Sequence, residues 1–201
     1  MILISDKAQQ SGKHLIKEKY WHDNGVEVLY YPLPVGDYVL ANEKVLDVIS
    51  RKEKRGIDAK KMDFLGSYNV VVDTKRDMNE IEGDIIGKQH ARFRDELMLA
   101  QNNGIKLYVL VENMNGITDI RDVFKYTSTR RLRWFKYDKL HKMGRALSVP
   151  IPEKPPVSGE QLAKCMLTME LKYGVKFVFC KPVEAGKRVI ELLTEATNET
   201  T

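Results

Sequence analysis

At 201 residues, 43% of them hydrophobic and 30% charged, the chain can bury a core of its own and has the composition of an ordinary globular protein. Its longest apolar runs, Val70 to Val72 and Leu107 to Val111, are too short for a bilayer-crossing helix. The N-terminus lacks a basic region followed by a long apolar stretch, so it reads as a strand and not as a signal peptide. Two cysteines, Cys165 and Cys180, exclude a disulfide scaffold and read as reduced core thiols of a cytoplasmic protein.

In chain order, Leu3 and Ile4 predict a first strand, and a polar helix follows from about Gly12 to Asp23. Asn24-Gly25 is a turn signal, and Val26 to Tyr31 alternates like a second strand. Pro32 and Pro34 interrupt it before a third strand at Gly36 to Leu40. Residues 42 to 67 read as a basic excursion without clean periodicity. Tyr68 to Lys75 reads as a buried strand with a polar end, and Glu80 to Asn103 as a helix that Gly83 and Gly87 bend or delay. Lys106 to Glu112 predicts another strand. A Pro-rich connector from Pro150 to Pro156 precedes a helix capped by Ser158 and running to Tyr173. Val175 to Cys180 is a last strand, Glu184 to Leu193 a last helix, and the residues from Thr194 onward a polar, frayed tail. Strands alternating with helices imply an α/β fold with a mixed central sheet flanked by helices. The 45 or so residues after the connector make a poor core alone, which favours one domain over residues 1–195 and a flexible tail over 196–201.

The net charge of +5 is unevenly distributed. Lys125, Arg130, Arg131, Arg133, Lys136, Lys139, Lys142 and Arg145 face only Asp138, with Tyr126, Trp134, Phe135 and Tyr137 interleaved. Cations neutralise phosphates and flat rings stack on bases, so Arg130, Arg131, Arg133, Trp134 and Lys136 are candidate DNA contacts. Taken alone, the segment reads as a solvated basic helix with its rings turned into the core.

The chemistry concentrates at strand ends. Asp73 and Lys75 are two residues apart on one strand and therefore share a face. Asp37 opens another strand, and if the two strands pair it joins them. Mg²⁺ prefers oxygen ligands and commonly takes one or two carboxylates plus waters and substrate phosphate. Such an ion stabilises charge developing at phosphorus and acidifies a water, which a neighbouring lysine can orient or deprotonate. Asp37, Asp73 and the Thr74 carbonyl are the candidate ligands, with Lys75 as the catalytic ammonium. An isolated Asp-x-Lys carries little information. An apolar triplet before it and a Pro-x-x-Asp at Pro34 to Asp37 make the pattern that of restriction-like nucleases, Pro-Asp…(Asp/Glu)-x-Lys.

Leu33-Pro34-Val35-Gly36-Asp37-Tyr38-Val39-Leu40 and Val72-Asp73-Thr74-Lys75 resemble the Gly-Asp-Tyr strand and the Val-Glu-Arg-Lys segment of the XPF-family nucleases. The likeness runs from about Ile2 to Glu112 and more loosely to Leu193, closest to compact bacterial or phage members whose nuclease domain stands alone. It implies a restriction-endonuclease-like fold and a Mg²⁺-dependent endonuclease acting on branched, flapped or junction DNA in repair or recombination, with Mn²⁺ as a substitute ion. By the same likeness Asp6 lines the site. Asp73 stands for the family glutamate and Thr74 for its arginine. Asn79 falls near the family's downstream aspartate, leaving Glu80 or Asp77 to replace it. Arg92 or Arg94 would contact a phosphate. Whether two copies form a homodimer stays open. The alternative is a nuclease-fold module that holds DNA or a partner without cutting. Glu80 with Asp84, and Arg92 with Glu96, also fit simple pairing one helical turn apart. His14, His22 and His141 show no zinc-ligand spacing.

Overall fold

Val70, Val71 and Val72 leave no polar face to meet water, and β4 (Val70–Lys75) is accordingly buried at every position. A strand apolar on both faces needs cover on both sides. A computed structural model describes residues 1–8, 14–145, 150 and 152–198, and it supplies that cover as helices on two faces of one sheet. The strands are β1 (Ile2–Asp6), β2 (Glu27–Tyr31), β3 (Tyr38–Leu40), β4, β5 (Lys106–Glu112) and β6 (Lys176–Cys180). Their order is β2-β1-β3-β4-β5-β6. β1 with β2, β4 with β5 and β5 with β6 run parallel, whereas β3 is antiparallel to both β1 and β4. This is the mixed central sheet flanked by helices that the alternation of elements predicts.

Side chains alternate between the faces with the period of two that a strand imposes. Val71, Val109 and Val111 join the larger core cluster, which includes residues of α3 (Met78–Ile86), α4 (His90–Asn102) and α7 (Gly159–Tyr173). Val70, Val72 and Leu110 turn to the other face, where α1 (Leu15–Asp23) supplies Trp21 and α8 (Ala185–Asn198) supplies Val189 and Leu192. By the same alternation Asp73 and Lys75 follow Val71 onto the face covered by α3 and α4.

Four segments differ from the sequence expectation. Residues 42–67 are not irregular. They form α2 (Glu43–Lys54), capped by Asn42 through Val45 N–H at 2.9 Å, then a short 3₁₀ turn, Lys61–Phe64, which buries Phe64. Val45, Val48 and Ile49 give α2 its inward stripe, and dense surface charge hid that period. The helix expected from Glu80 to Asn103 is two helices, α3 and α4, broken at Gly87, where a Cβ would strike the Gly83 backbone. A short α5 (Ile120–Val123) precedes α6 (Thr129–Lys142). α8 continues to Asn198, past the expected helix end at Leu193. The expected helix start at Gly12 and the last three residues of the expected tail lie outside the described residues.

Most of the basic segment is helical, and the rings on α6 do not enter the core, whereas Tyr126 just before it packs against the larger core cluster. No residue of α6 is buried, and Trp134 and Phe135 pack edge to face on each other with centroids 5.4 Å apart. Among the described residues, no helix is long and apolar enough to cross a membrane.

Candidate active site

A strand antiparallel to its neighbours begins where they end. The start of β3 therefore meets the C-terminal ends of β1, β4 and β5 at one edge of the sheet, bringing Asp6, Asp37, Asp73, Lys75 and Glu112 together. The turn before β3 is tightly fixed. Leu33 and Val35 are buried, Leu33 N–H donates to Asp6 Oδ1 at 3.1 Å, and Gly36 adopts a φ of 66°. Gly36 N–H then donates to Glu96 Oε1 at 2.8 Å, and a Cβ at this position would run into the Val71 side chain. Glycine is required for both the left-handed φ and the close approach. Asp37 continues the ladder, its N–H donating to Val72 O at 2.9 Å while its own carbonyl accepts from Asp6 N–H at 2.7 Å.

Thr74 fixes the Asp37 carboxylate. Its backbone N–H and its hydroxyl both donate to Asp37 Oδ2, at 2.8 and 2.7 Å. The sequence assigned Thr74 a carbonyl ligand; the contacts its N–H and side chain make are those of a clamp on Asp37.

On the α3–α4 face, the Lys75 ammonium lies 2.8 Å from Asp73 Oδ2 and 3.0 Å from Asp84 Oδ2, and 5.4 Å from the centre of the Phe93 ring. All three charged side chains are about 95% buried. Asp73 Oδ2 and Asp84 Oδ2 are buried with the one Lys75 ammonium shared between them. Burial alone would lower the Lys75 pKa, but the Asp73 and Asp84 carboxylates outweigh it and hold the group above the ordinary lysine range. Asp73 is raised well above the usual carboxylate range. Burial is the main cause; Lys75 opposes it, and the Asp37 and Glu96 charges add to it. One ammonium thus serves more negative charge than it can neutralise.

These groups open into a cavity of about 770 Å³ at the sheet edge. Asp6, Asp37, Asp73, Thr74, Lys75, Glu80, Arg92 and Glu96 line it. Its other wall comes from α1 and β5, where a buried Lys17–Glu112 ion pair joins residues 95 apart in the chain. His14 Nδ1 is buried there without a hydrogen-bond partner, and burial with the Lys17 charge lowers its pKa against the pull of Asp37 and Glu112. Among the described residues, no group of three or more His, Cys, Asp or Glu is arranged to hold a metal ion. The donors that fit a hard cation are the Asp37 and Asp73 carboxylates, within the one or two such ligands that Mg²⁺ commonly takes from protein.

The remaining predicted residues separate into two sets. Glu80 stands at the rim and accepts from Arg76 N–H at 3.0 Å. Arg92 lines the mouth, while Arg94 lies outside the cavity against Asp95 at 3.0 Å. Asp77 caps α3, and Asn79 faces a neighbouring cavity. Arg130, Arg131, Arg133, Trp134 and Lys136 all lie on α6, outside the cavity. Two of them hold the connector: Arg131 donates to Pro156 O and Trp134 Nε1 to Pro152 O, the latter at 2.8 Å.

Sequence reading passed over Asp84 and Glu96 as surface pairs. A signal for them existed. Asp84 falls with Ile81 and Ile85 on the apolar stripe of α3, and Glu96 with Phe93, Leu97 and Ala100 on that of α4. An acid on the buried stripe of a helix needs a partner inside.

No protein-family model matches the sequence, and no curated protein matches it. Among solved structures, the chain is similar to XPF from Aeropyrum pernix in complex with DNA, with a TM-score of 0.53 at 12% identity. The superposition covers 98% of this chain and 66% of that one, so the chain spans just under two thirds of its length. At that identity the likeness concerns the fold, and the fold is distantly similar to that of an XPF nuclease.

Proposed function

We propose that the chain is a metal-dependent endonuclease hydrolysing DNA phosphodiester bonds at branched, flapped or junction structures. The observation that carries this reading is the convergence of Asp37, Asp73 and Lys75 on one cavity, where one buried ammonium faces several carboxylates. Asp37 and Asp73 would hold Mg²⁺, or Mn²⁺ in its place. When bound, the ion would supply Lewis-acid stabilisation of charge developing on the phosphate.

The residues of the chain divide the remaining tasks. Lys75 stays an ammonium, so it orients a water and offsets charge on the phosphate; a proton acceptor it is not. Thr74 keeps Asp37 aimed by two donors, and Glu96 fixes the Gly36 turn that carries it. Arg92, exposed at the mouth, meets a flanking phosphate. Glu80 orders the Arg76 segment at the rim. α6 supplies the longer-range attraction to duplex.

The purified chain incubated with labelled flapped and four-way-junction DNA in Mg²⁺ or Mn²⁺ is expected to cut, and Asp73→Ala is expected to abolish cutting. An inert wild type, or an Asp73→Ala variant as active as wild type, disposes of the proposal. A second reading, a nuclease-fold module that binds DNA without cutting, has one observation on its side: Lys75 already provides cationic charge to Asp73 and Asp84. In that case divalent cations would bind no better to wild type than to Asp73→Ala by calorimetric titration.

A further inference from the structure

A second cavity, of about 690 Å³, lies beside the first, and Arg76 lines both. It is formed by the N-terminal turn of α3, the loop after β5, the segment leading into α6 and Pro182 after β6. Its volume falls in the roughly 300–1,000 Å³ range of ligand pockets. Its wall is mostly carbon, in contrast to the more polar sheet-edge cavity.

Four charged side chains, Arg76, Asp77, Asp122 and Lys125, line it together with amides and hydroxyls that have unused capacity. Asn79 Oδ1 accepts from Tyr126 OH at 3.5 Å and Thr129 Oγ1 at 3.2 Å, which leaves its NH₂ as a donor. The Asn115 side-chain amide and the Thr127 hydroxyl have no hydrogen-bond partner among the described residues. Flat or soft apolar groups stand beside them. Tyr126 is half-buried, while Met114 is 80% and Leu132 57% exposed, a large uncovered area for two apolar side chains.

A phosphate does not suit this cavity. Its charges balance among themselves: Arg76 sits 3.7 Å from Asp77 and 3.5 Å from Glu80, and Lys125 shares the lining with Asp122. A neutral, planar group with a hydrogen-bonding edge does suit it. Such groups stack on apolar and aromatic side chains and bind amides along their edges.

We propose that this second cavity is a binding site for an unpaired nucleobase. Arg76 lines both cavities, so a DNA strand whose phosphate lies in the first would run past it to the second, and the base there must be free of its partner strand to enter. α6 begins at this cavity with Thr129 and Leu132 and carries its cations onward, which suits the paired side of the same DNA. The inference rests on the nuclease reading for the identity of the strand, and it makes recognition of a single-strand/double-strand transition a property of the nuclease fold itself.

Binding in EDTA, where a metal-dependent enzyme does not cut, tests it. A fluorescent duplex with a short single-stranded flap is compared by anisotropy with the same duplex whose first flap nucleotides are abasic. Wild type is expected to lose about tenfold in affinity on loss of the bases. The variant M114A/N115A, altered only at exposed side chains and without change of charge, is expected to bind both flaps equally and a blunt duplex as wild type does. Equal wild-type affinity for the two flaps, or a variant that still distinguishes them, overturns the inference. Asp73→Ala is expected to retain the discrimination. A chain that discriminates without ever cutting removes the nuclease reading and keeps the base site; one that cuts without discriminating does the reverse.

Discussion

The carboxylate of Asp37 is aimed by a residue with no side chain. Gly36 combines a left-handed backbone with a Val71 contact that admits no Cβ, and its N–H is fixed by Glu96. Gly36→Ala is therefore expected to cost about 1–3 kcal/mol from overpacking, and more from the backbone change. Cleavage should fall further than stability does, because the turn shifts Asp37; urea melts beside rate measurements separate the two effects. At Asp73 the sign of the pH dependence follows from its raised pKa. Between the ordinary carboxylate pKa and the elevated one, the folded protein binds more protons than the unfolded chain, so its contribution to stability falls as pH rises through that window. Asp73→Asn removes the penalty and is expected to melt higher than wild type at pH 7, with the gap closing on acidification. A divalent cation is expected to raise the wild-type Tm, by roughly 2–4 °C per kcal/mol of binding stabilisation, and to leave the Asp73→Asn Tm unchanged. The Asp-x-Lys pair was legible because a strand's period of two is local. Asp84 and Glu96 were not read, because which helix covers which face is decided by packing across the sheet.

At the scale of elements, the strands were easier to read than the helices between them. β4, β5 and β6 are short apolar runs closed by turn residues, and their predicted and observed limits differ by about two residues or fewer. α2 was missed although Asn42 caps it and Val45, Val48 and Ile49 keep helical spacing, since its remaining positions are mostly charged. The long helix was read through Gly87 because Ile81, Ile85, Phe93 and Leu97 stay near one helical period on either side of the break. The α2 region matters to the site, since Lys61 from the following turn also lines the sheet-edge cavity. Phe64→Ala is expected to lose about 3–5 kcal/mol and Asn42→Ala about 1 kcal/mol, read from denaturant midpoints. A residue 42–67 segment that was truly irregular would show neither loss.

For the molecule as a whole, charge placement is the dominant feature. α6 carries Arg130, Arg131, Arg133, Lys136, Lys139 and Lys142 against Asp138, a net +5 that equals the formal charge of the entire chain. The remainder is formally neutral. The uneven placement was visible in the sequence, but not that α6 would keep every residue out of the core while two of its side chains reach the connector at Pro152 and Pro156. Replacing Arg130, Arg133 and Lys136 by Gln is expected to weaken binding to all duplexes alike. It should also flatten the dependence of log affinity on log salt by about 2–3, one for each lost phosphate contact. A sequence-selective loss, or an unchanged slope, would remove α6 from the interface.

Confining the net charge to one surface helix makes the charge distribution of the protein markedly uneven. In the field of a polyanion such a body turns before it touches, so productive collisions arrive with α6 leading. The helix would then be the first element to meet the polymer, and the encounter begins from a preferred orientation.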